Sequence, residues 1–587
     1  MNVSYTCYWR QLFLLIFSND SSLLSSMIIC YCVIEEIRYF FTYRINKIIF
    51  QLLQMYVREN LSYQVYRTLI SQTIFAALAA HTGQVSVGLS QGFSAILIPK
   101  LLESNFANQS EASWIASLGV VSNPLGAFVA GICAECFGRR FAIALATLPH
   151  AAGWLLIAFS KNVPMLYAGR FISGIGTGMA NGLYLYVSEA AAPSQRAWLG
   201  SCGPILVSLG VLVIYTLGAF TTWQMAAAVS IAPAILSLLL TRMIPESPAW
   251  LVARGRSEEA KQSLLWLRGA GLSTDKEYQD LCRANAKREE EKESLMKALH
   301  TPSVWKPFLI LLGFFALQQF SGIYIILFYA VSVLKDIGVE LNEYAASVGI
   351  GVIRLLASIV GAGLANSIGR KSLAVASGSG MAVSAVGVAL SFRLDVSSGV
   401  PLACIGAHVA SSMLGFLTLP WVMTSELYPQ RFRGPLGGIT TSIAQILTFV
   451  AIKSYPDVVS MVGLETTMWM FATAGLLGAI FSLTILPETR ARSLDEIECA
   501  FMPKKTKELE ASIAKSQVLP SIFAPSKNVI LQRFTSIPDD RYPNMVANAY
   551  AYDNFCLDLT LDESTKKPEK HLYPVENSIL DHSANQP

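Results

Sequence analysis

Two adjacent amides, Gln318 and Gln319, open the stretch QQFSGIYIILFY, and Ser321, Tyr324 and Tyr329 follow inside an otherwise apolar segment. Amides and hydroxyls both donate and accept hydrogen bonds. Such a face suits a polyhydroxyl solute better than it suits bond breaking. Helical spacing puts Gln318, Ser321, Gly322, Ile325 and Tyr329 near one stripe, with Gln319 at its flank. The bland use of the same groups is to bond neighbouring helices inside a membrane. Arg354 sits in the middle of another apolar run, and no run carries an Asp or Glu at comparable depth. A mid-membrane guanidinium costs about 2.5–3.5 kcal/mol on insertion scales unless it is paired or hydrated. Arg354 is therefore expected to meet water, carbonyls or a polyhydroxyl or anionic solute; otherwise it snorkels or caps a bend.

Other chemistries find no support. There is no phosphate-binding loop, nucleophile elbow or metal cluster, so neither an enzyme nor a cofactor is expected. The ten cysteines, among them Cys133, Cys136, Cys202 and Cys404, show neither disulfide nor zinc spacing and read as small packing residues. His81, His150 and His408 stand alone in apolar runs and read the same way. A net charge of +4 on 587 residues is too mild to argue for nucleic acid.

The elements that must position these side chains are membrane helices. Only 14% of residues are charged and 53% are hydrophobic, whereas soluble domains carry about 25% charged residues. Twelve apolar segments are expected as spans, at 73–98, 112–134, 141–160, 164–188, 198–219, 223–243, 305–334, 343–366, 372–392, 400–425, 435–454 and 466–486. Backbone groups in lipid must be satisfied internally, and no strand-like alternation appears, so the class is an all-α membrane protein of twelve transmembrane helices. Basic residues concentrate on the side that carries 244–304, which is expected to be cytoplasmic with both termini. That polar stretch reads as a linker of short amphipathic helices between two six-helix bundles, 73–243 and 305–486. Residues 1–72 are expected as a cytoplasmic or interfacial extension, and 487–587 as a largely disordered cytoplasmic tail. Asn108-Gln-Ser lies in the first outer loop as a glycosylation acceptor.

The two bundles repeat one plan. GRR at 138–140 returns as GRK at 369–371, SEAAAPSQR at 188–196 as SELYPQRFR at 425–433, and PESP at 245–248 as PETR at 487–490. Arg139, Glu189 and Glu246 thereby find counterparts 231, 237 and 242 residues on, in Arg370, Glu426 and Glu488. Near-constant offsets argue for a duplicated six-helix unit. Arg139, Arg140 and Arg370 are placed to reach the last carbonyls of the preceding helices. Glu189 with Arg196, and Glu426 with Arg433, stand at the water boundary, where ion pairs between the halves can hold one conformation and break in another.

Taken in order, GRR, GRFISGIGTG, SEAAAPSQR, PESPAWL, QQFSGI, the Pro420-Trp421 pair, SELYPQRFRG and PETRARSLDEIE resemble the sugar-porter branch of the major facilitator superfamily, and most of all the insect facilitated trehalose transporter type. The likeness covers about 73–498. It implies two six-helix bundles around a cavity that opens alternately to each side. It also implies that Gln318 and Gln319 meet sugar hydroxyls and that Trp421 stacks on the sugar's apolar face. The departures cluster in that cavity. Tyr324 and Arg354 stand where the family carries asparagines, Ser208 stands near a usual glutamine, and Leu417-Thr418 replaces the Gly-Pro hinge, leaving Gly415 and Pro420 to bend. Ser90 occurs in the first span where proton-coupled relatives carry an acid, so downhill transport of a sugar such as trehalose or a hexose is expected. The sugar and the lipid bilayer are then the partners. Two rivals stay open: a carrier of another polar or anionic solute, and a membrane sugar sensor that does not transport.

Overall fold

A computed structural model describes residues 63–501, apart from 181, 193–194, 270–271, 291–299, 340–341, 395, 430–431 and 491–493. The expectations for 1–62 and 502–587 lie outside the described residues. Among the described residues every regular element is a helix. The first half comprises α1 (Tyr63–Glu103), α2 (Gln109–Val121), α3 (Asn123–Phe137), α4 (Arg139–Ala158), α5 (Val163–Met179), α6 (Gly182–Ala190), α7 (Arg196–Phe220), α8 (Trp223–Val229) and α9 (Ile231–Arg242). The linker forms α10 (Pro248–Ala253), α11 (Ser257–Arg268) and α12 (Leu272–Glu290). The second half comprises α13 (Pro302–Phe320), α14 (Ile323–Phe328), α15 (Ala330–Asp336), α16 (Glu343–Ser367), α17 (Arg370–Leu394), α18 (Gly399–Leu414), α19 (Leu419–Glu426) and α20 (Arg433–Thr484), followed by α21 (Leu494–Phe501).

Ten described stretches are long and apolar enough to cross a membrane. One of them, Gly434–Thr484, has 51 residues, about 75 Å of helix against a hydrocarbon core of roughly 30 Å. Its backbone leaves the helix at Gly463, φ 80° and ψ 163°, which divides it into the two passes expected at 435–454 and 466–486. The fourth expected span is α5 and α6, with α5 ending at Met179. Helix α1 begins at Tyr63, well before the expected start of the first span.

The seventh and tenth expected spans are interrupted along their length by non-helical backbone. The seventh is not one helix but α13, α14 and α15. Ser321 ends α13, with its hydroxyl donating 2.7 Å back to the Gln318 carbonyl. Gly322 then adopts φ 86°, a left-handed conformation, and a Cβ there would collide with the Phe471 ring. The single stripe from Gln318 to Tyr329 therefore does not form, because the chain turns through the αL residue between them. The tenth expected span breaks likewise. Its first part, α18, gives out at Leu414, and α19 restarts at Leu419 with Pro420 in its first turn.

The halves meet along two seams. Helix α7 crosses α16, where a Cβ on Gly351 would lie 3.2 Å from the Leu212 Cα. Helix α2 packs against α20, with Trp114 tilted over Phe449 at 6.1 Å. Within the first half, α1 and α7 approach so closely that a Cβ on Gly88 would run into the Val207 carbonyl oxygen, the small-residue packing that membrane helices favour. The linker helices dock on the first half: Trp250 Nε1 donates 2.9 Å to the Glu135 carbonyl, and Thr73 Oγ1 donates 2.8 Å to that of Leu267.

Candidate functional site

The broken helices and the α7–α16 seam bring several of the expected residues together. Gln318 and Gln319 are both fully buried. Gln318 Nε2 donates to the carbonyls of Phe416 at 2.5 Å and Leu417 at 3.1 Å, the groups left orphaned where α18 ends. Its Oε1 accepts from Gln319 Nε2 at 3.1 Å, and Gln319 Oε1 accepts from the Thr448 hydroxyl at 2.8 Å. In this conformation the amide pair thus ties α13 to the break between α18 and α19 and to α20. Trp421, half-buried on α19, meets the Phe315 ring edge-on at 5.0 Å, and its indole lies against the Tyr324 hydroxyl. Tyr324, on α14, is next to Arg354 of α16.

Arg354 is 3% exposed and reaches across the seam, with Nη2 donating 3.2 Å to Gln91 Oε1 of α1. Its Nε and Nη1 are buried and have no hydrogen-bond partner among the described residues. The phenols of Tyr215 and Tyr324 are the titratable groups close enough to act on it electrostatically. Tyr215 directs its own proton 2.7 Å to the Leu327 carbonyl, another bond across the seam.

A second buried arginine, to which the sequence assigns no role, makes the contrast. Arg170 on α5 is fully buried, yet each of its nitrogens is engaged. Nε donates to Ile115 O at 3.1 Å, Nη1 to Ser90 O at 3.3 Å, and Nη2 to Ser94 Oγ at 2.7 Å. Both arginines occupy apolar runs; Arg170 belongs to the GRFISGIGTG motif, whereas Arg354 stands where the resembled family carries an asparagine. Gln91 is a residue that the motifs do not single out, although it directly follows Ser90.

Tyr329 is not part of this group. It sits at the α14–α15 junction, with its hydroxyl donating 3.2 Å to the Ile452 carbonyl and its ring 5.0 Å from that of Tyr455. The helix break carries it away from the amides.

At the linker end, the repeated motifs build two matching clusters. In the first half, the Arg139 guanidinium donates to Glu189 at 3.1 Å, Glu135 at 3.1 Å and the Ala134 carbonyl at 2.7 Å. The Glu246 carboxylate accepts from the backbone N–H groups of Arg139 at 2.9 Å and Arg140 at 3.1 Å. In the second half, Arg370 donates to Glu426 at 3.0 Å and the Ala365 carbonyl at 2.9 Å, while Glu488 accepts from the N–H groups of Arg370 at 2.9 Å and Lys371 at 3.1 Å. Each carboxylate of the PES and PET motifs therefore caps a helix N-terminus, where negative charge is favoured. Ser247 and Thr489, the next residues of those motifs, donate to Glu189 and Glu426. Sequence reasoning did not assign that pair, though its equal offset was there to see.

The clusters correct one expectation. Among the described residues Glu189 and Glu426 each pair with an arginine of their own half, Arg139 and Arg370, and neither pairs across the halves. The reason is proximity: the buried Arg139 lies against the end of α6, whereas Arg196 points outward and is exposed. The Arg433 side chain lies outside the described residues. Burial pushes the Glu246 carboxyl up, against the pull of its N–H donors. For Glu488, burial also pushes up, but three backbone N–H donors and the Arg370 charge together outweigh it and hold the carboxyl below its usual range.

The halves are fastened at the opposite end. Lys335 of α15 pairs with Glu103 of α1 at 3.4 Å. Lys453 of α20 donates 2.8 Å to Ser113 Oγ of α2 and stands 5.1 Å from the Trp114 ring centroid. Asn108 is exposed at that end and N-caps α2, its Oδ1 accepting from Glu111 N at 2.8 Å.

Residues 60–501 match the family described as Sugar (and other) transporter. Among curated relatives, the facilitated trehalose transporter Tret1 of Apis mellifera ligustica is 32% identical over 440 residues, covering 73% of this chain and 88% of that protein. Tret1 of Drosophila grimshawi is 31% identical over 443 residues, with 73% of this chain matching 48% of the relative, so the chain spans about half of that longer protein. A solved structure of the proton:xylose symporter XylE bound to 6-bromo-6-deoxy-D-glucose superposes with a TM-score of 0.64 at 23% identity, covering 73% of this chain and 99% of the other. The inward-open xylose transporter XylE from E. coli gives 0.62 at 22% identity, with the same coverage.

Proposed function

Since the chain belongs to the Sugar (and other) transporter family, we propose that it carries a sugar, of the trehalose or hexose kind, down its gradient across the plasma membrane by alternating access. The observation that carries the reading is the group beside the seam: in the second half the Trp421 indole against the Tyr324 phenol, and the Arg354 guanidinium, which the Gln91 amide of the first half holds. An indole face covers the apolar side of a sugar ring, while amide, phenol and guanidinium groups meet its hydroxyls. The bundles 73–243 and 305–486 rock against each other. As the cavity opens, the Gln318–Gln319 pair exchanges internal partners for sugar hydroxyls, with Trp421, Tyr324 and Arg354 around it. The Arg139 and Arg370 clusters keep the linker end of each bundle intact. The linker end faces the cytoplasm with both termini, and Asn108 carries a glycan outside.

Between Gln72 and Lys100, α1 carries no carboxylate. A proton-driven cycle needs a group that binds and releases a proton beside the solute; apart from Lys100 at its end, the stretch offers only His81, buried with Nε2 3.1 Å from the Leu199 carbonyl, and downhill exchange by a carrier is the reading this supports. The test is uptake of radiolabelled trehalose, glucose and fructose into cells expressing the chain, beside a Gln318→Ala/Trp421→Ala control present at the surface. Saturable uptake that stops at equilibrium and is lost in the control is the expected result. Accumulation above equilibrium that a protonophore abolishes would overturn the downhill reading, and no uptake of any of the three would overturn the proposal.

A further inference from the structure

Arg354 and Arg170 lie in the same membrane domain, both buried, and differ in one respect. Arg170 has a carbonyl or hydroxyl acceptor for every nitrogen, whereas among the described residues Arg354 has Gln91 for one nitrogen and no acceptor for the other two. Leaving a buried donor unpaired is costly, and more so when it is charged. Among the described residues no carboxylate shares the depth of Arg354; its electrostatic neighbours are the phenols of Tyr215 and Tyr324. The seam therefore holds a buried positive charge with open donors, within electrostatic reach of Tyr324, whose hydroxyl in turn lies against the Trp421 indole.

We propose that this guanidinium receives the carboxylate of an acidic sugar, a uronic or aldonic acid, and that the carrier prefers such anions to their neutral parents. The inference rests on the transport reading above and deepens it. Nε and Nη1 lie on different edges of the planar guanidinium, each sharing its edge with Nη2; Nη2 carries two hydrogens, so while Gln91 holds one of them the other edge can still be filled bidentately by a carboxylate. Neutral hydroxyls satisfy the donors but leave the charge alone. Gln91 braces the guanidinium from the opposite half. A solute bound here therefore touches a group held by both bundles, and its arrival completes the set of partners that the protein leaves open.

The test compares glucuronate with glucose, and gluconate with sorbitol, in cells expressing the full chain under voltage clamp, with parallel radiolabelled uptake. Downhill movement of a monoanion carries charge, so glucuronate evokes a saturable current and neutral glucose does not. A charge-assisted pair predicts half-saturation at about tenfold to a hundredfold lower concentration for glucuronate than for glucose. Arg354→Gln keeps donors but removes the charge, and the glucuronate-to-glucose preference falls at least tenfold; Arg354→Lys, which keeps the charge, retains most of it. Should either variant fail to reach the surface, competition of glucuronate against glucose uptake in the native chain decides the question. Glucose uptake without glucuronate current or competition overturns this inference and leaves the proposed function standing. Current with glucose 6-phosphate in place of glucuronate also overturns it, since the site then reads phosphate. Glucuronate current without uptake of any neutral sugar supports it and refutes the neutral-sugar reading, and silence from both, with protein at the surface, refutes both.

Discussion

Gln318 donates to the Phe416 carbonyl at 2.5 Å, so a side chain expected to face solute instead stitches α13 to the point where α18 stops. The same nitrogen also serves Leu417. One buried amide thus satisfies, in this conformation, two carbonyls that the interrupted helix cannot.

Gln318→Ala orphans both carbonyls and deprives Gln319 of its acceptor. Each buried unsatisfied group is worth about 1–3 kcal/mol, so the variant should melt several degrees below the native protein in detergent. Gln318→Glu keeps the shape but offers no N–H, and should be at least as unstable. Equal melting temperatures for all three would show that the amide is idle at this break.

Gly322 is predicted to tolerate no side chain, for two reasons that act together: its left-handed φ of 86° and the Phe471 ring that an added Cβ would strike. Gly322→Ala should reduce surface expression severely. Gly349→Ala, in α16 with nothing within 4 Å of the added carbon, should express normally and serves as the control.

The two linker-end clusters should not be equally sensitive. Removing one partner from a buried pair costs about 3–5 kcal/mol, against about 0–1 kcal/mol at the surface. The Arg139 side chain is 6% exposed and holds two carboxylates; that of Arg370 is 20% exposed and holds one. Arg139→Gln should therefore lower the melting temperature more than Arg370→Gln does, and the reverse order would refute this ranking.

Acid should loosen the second half first. Glu488 is held below the usual carboxylate range, so its contribution is complete above the unfolded pKa, about 4.3, and is lost as pH falls through the lower, folded value. Glu246 is shifted up, so the penalty on its charged form is relieved by acid. Melting curves between pH 7 and pH 3 should show a smaller acid loss in Glu488→Gln than in the native protein, and a larger one in Glu246→Gln.

At the far end, Lys335 and Glu103 are both more than half exposed, so breaking that pair should change little. Lys453 combines a hydrogen bond to Ser113 with the Trp114 ring and is partly buried. Lys453→Ala should therefore shift the carrier toward the form open on that side, and a cysteine placed near Trp114 should react faster with an impermeant thiol reagent than it does beside native Lys453.

The span positions were legible from run length alone, because twenty apolar residues have few other uses. The duplicated clusters were legible too: offsets of 231, 237 and 242 residues ended in the same contacts, down to Ala134 and Ala365 as carbonyl acceptors. The break after Leu414 was foreshadowed by Gly415 and Pro420, read as the residues that let this span bend; the turn at Gly322 was not, since the stripe from Gln318 to Tyr329 assumes a continuous helix. That is why Tyr329 fell off the expected stripe. The difference between Arg170 and Arg354 was out of reach as well. Whether a buried guanidinium is satisfied depends on carbonyls from other helices, and those are brought to it only by the fold.

The crossing of α7 and α16, where Gly351 lets one backbone lie nearly against the other at Leu212, has a mechanical consequence. Two bodies that tilt against each other move least where they touch most closely, and Arg354 lies one helical turn from that contact. A cargo held there rides on the axle: it stays almost still while the openings above and below it trade places. Selectivity can then be set once, at a single depth, and serve passage in both directions.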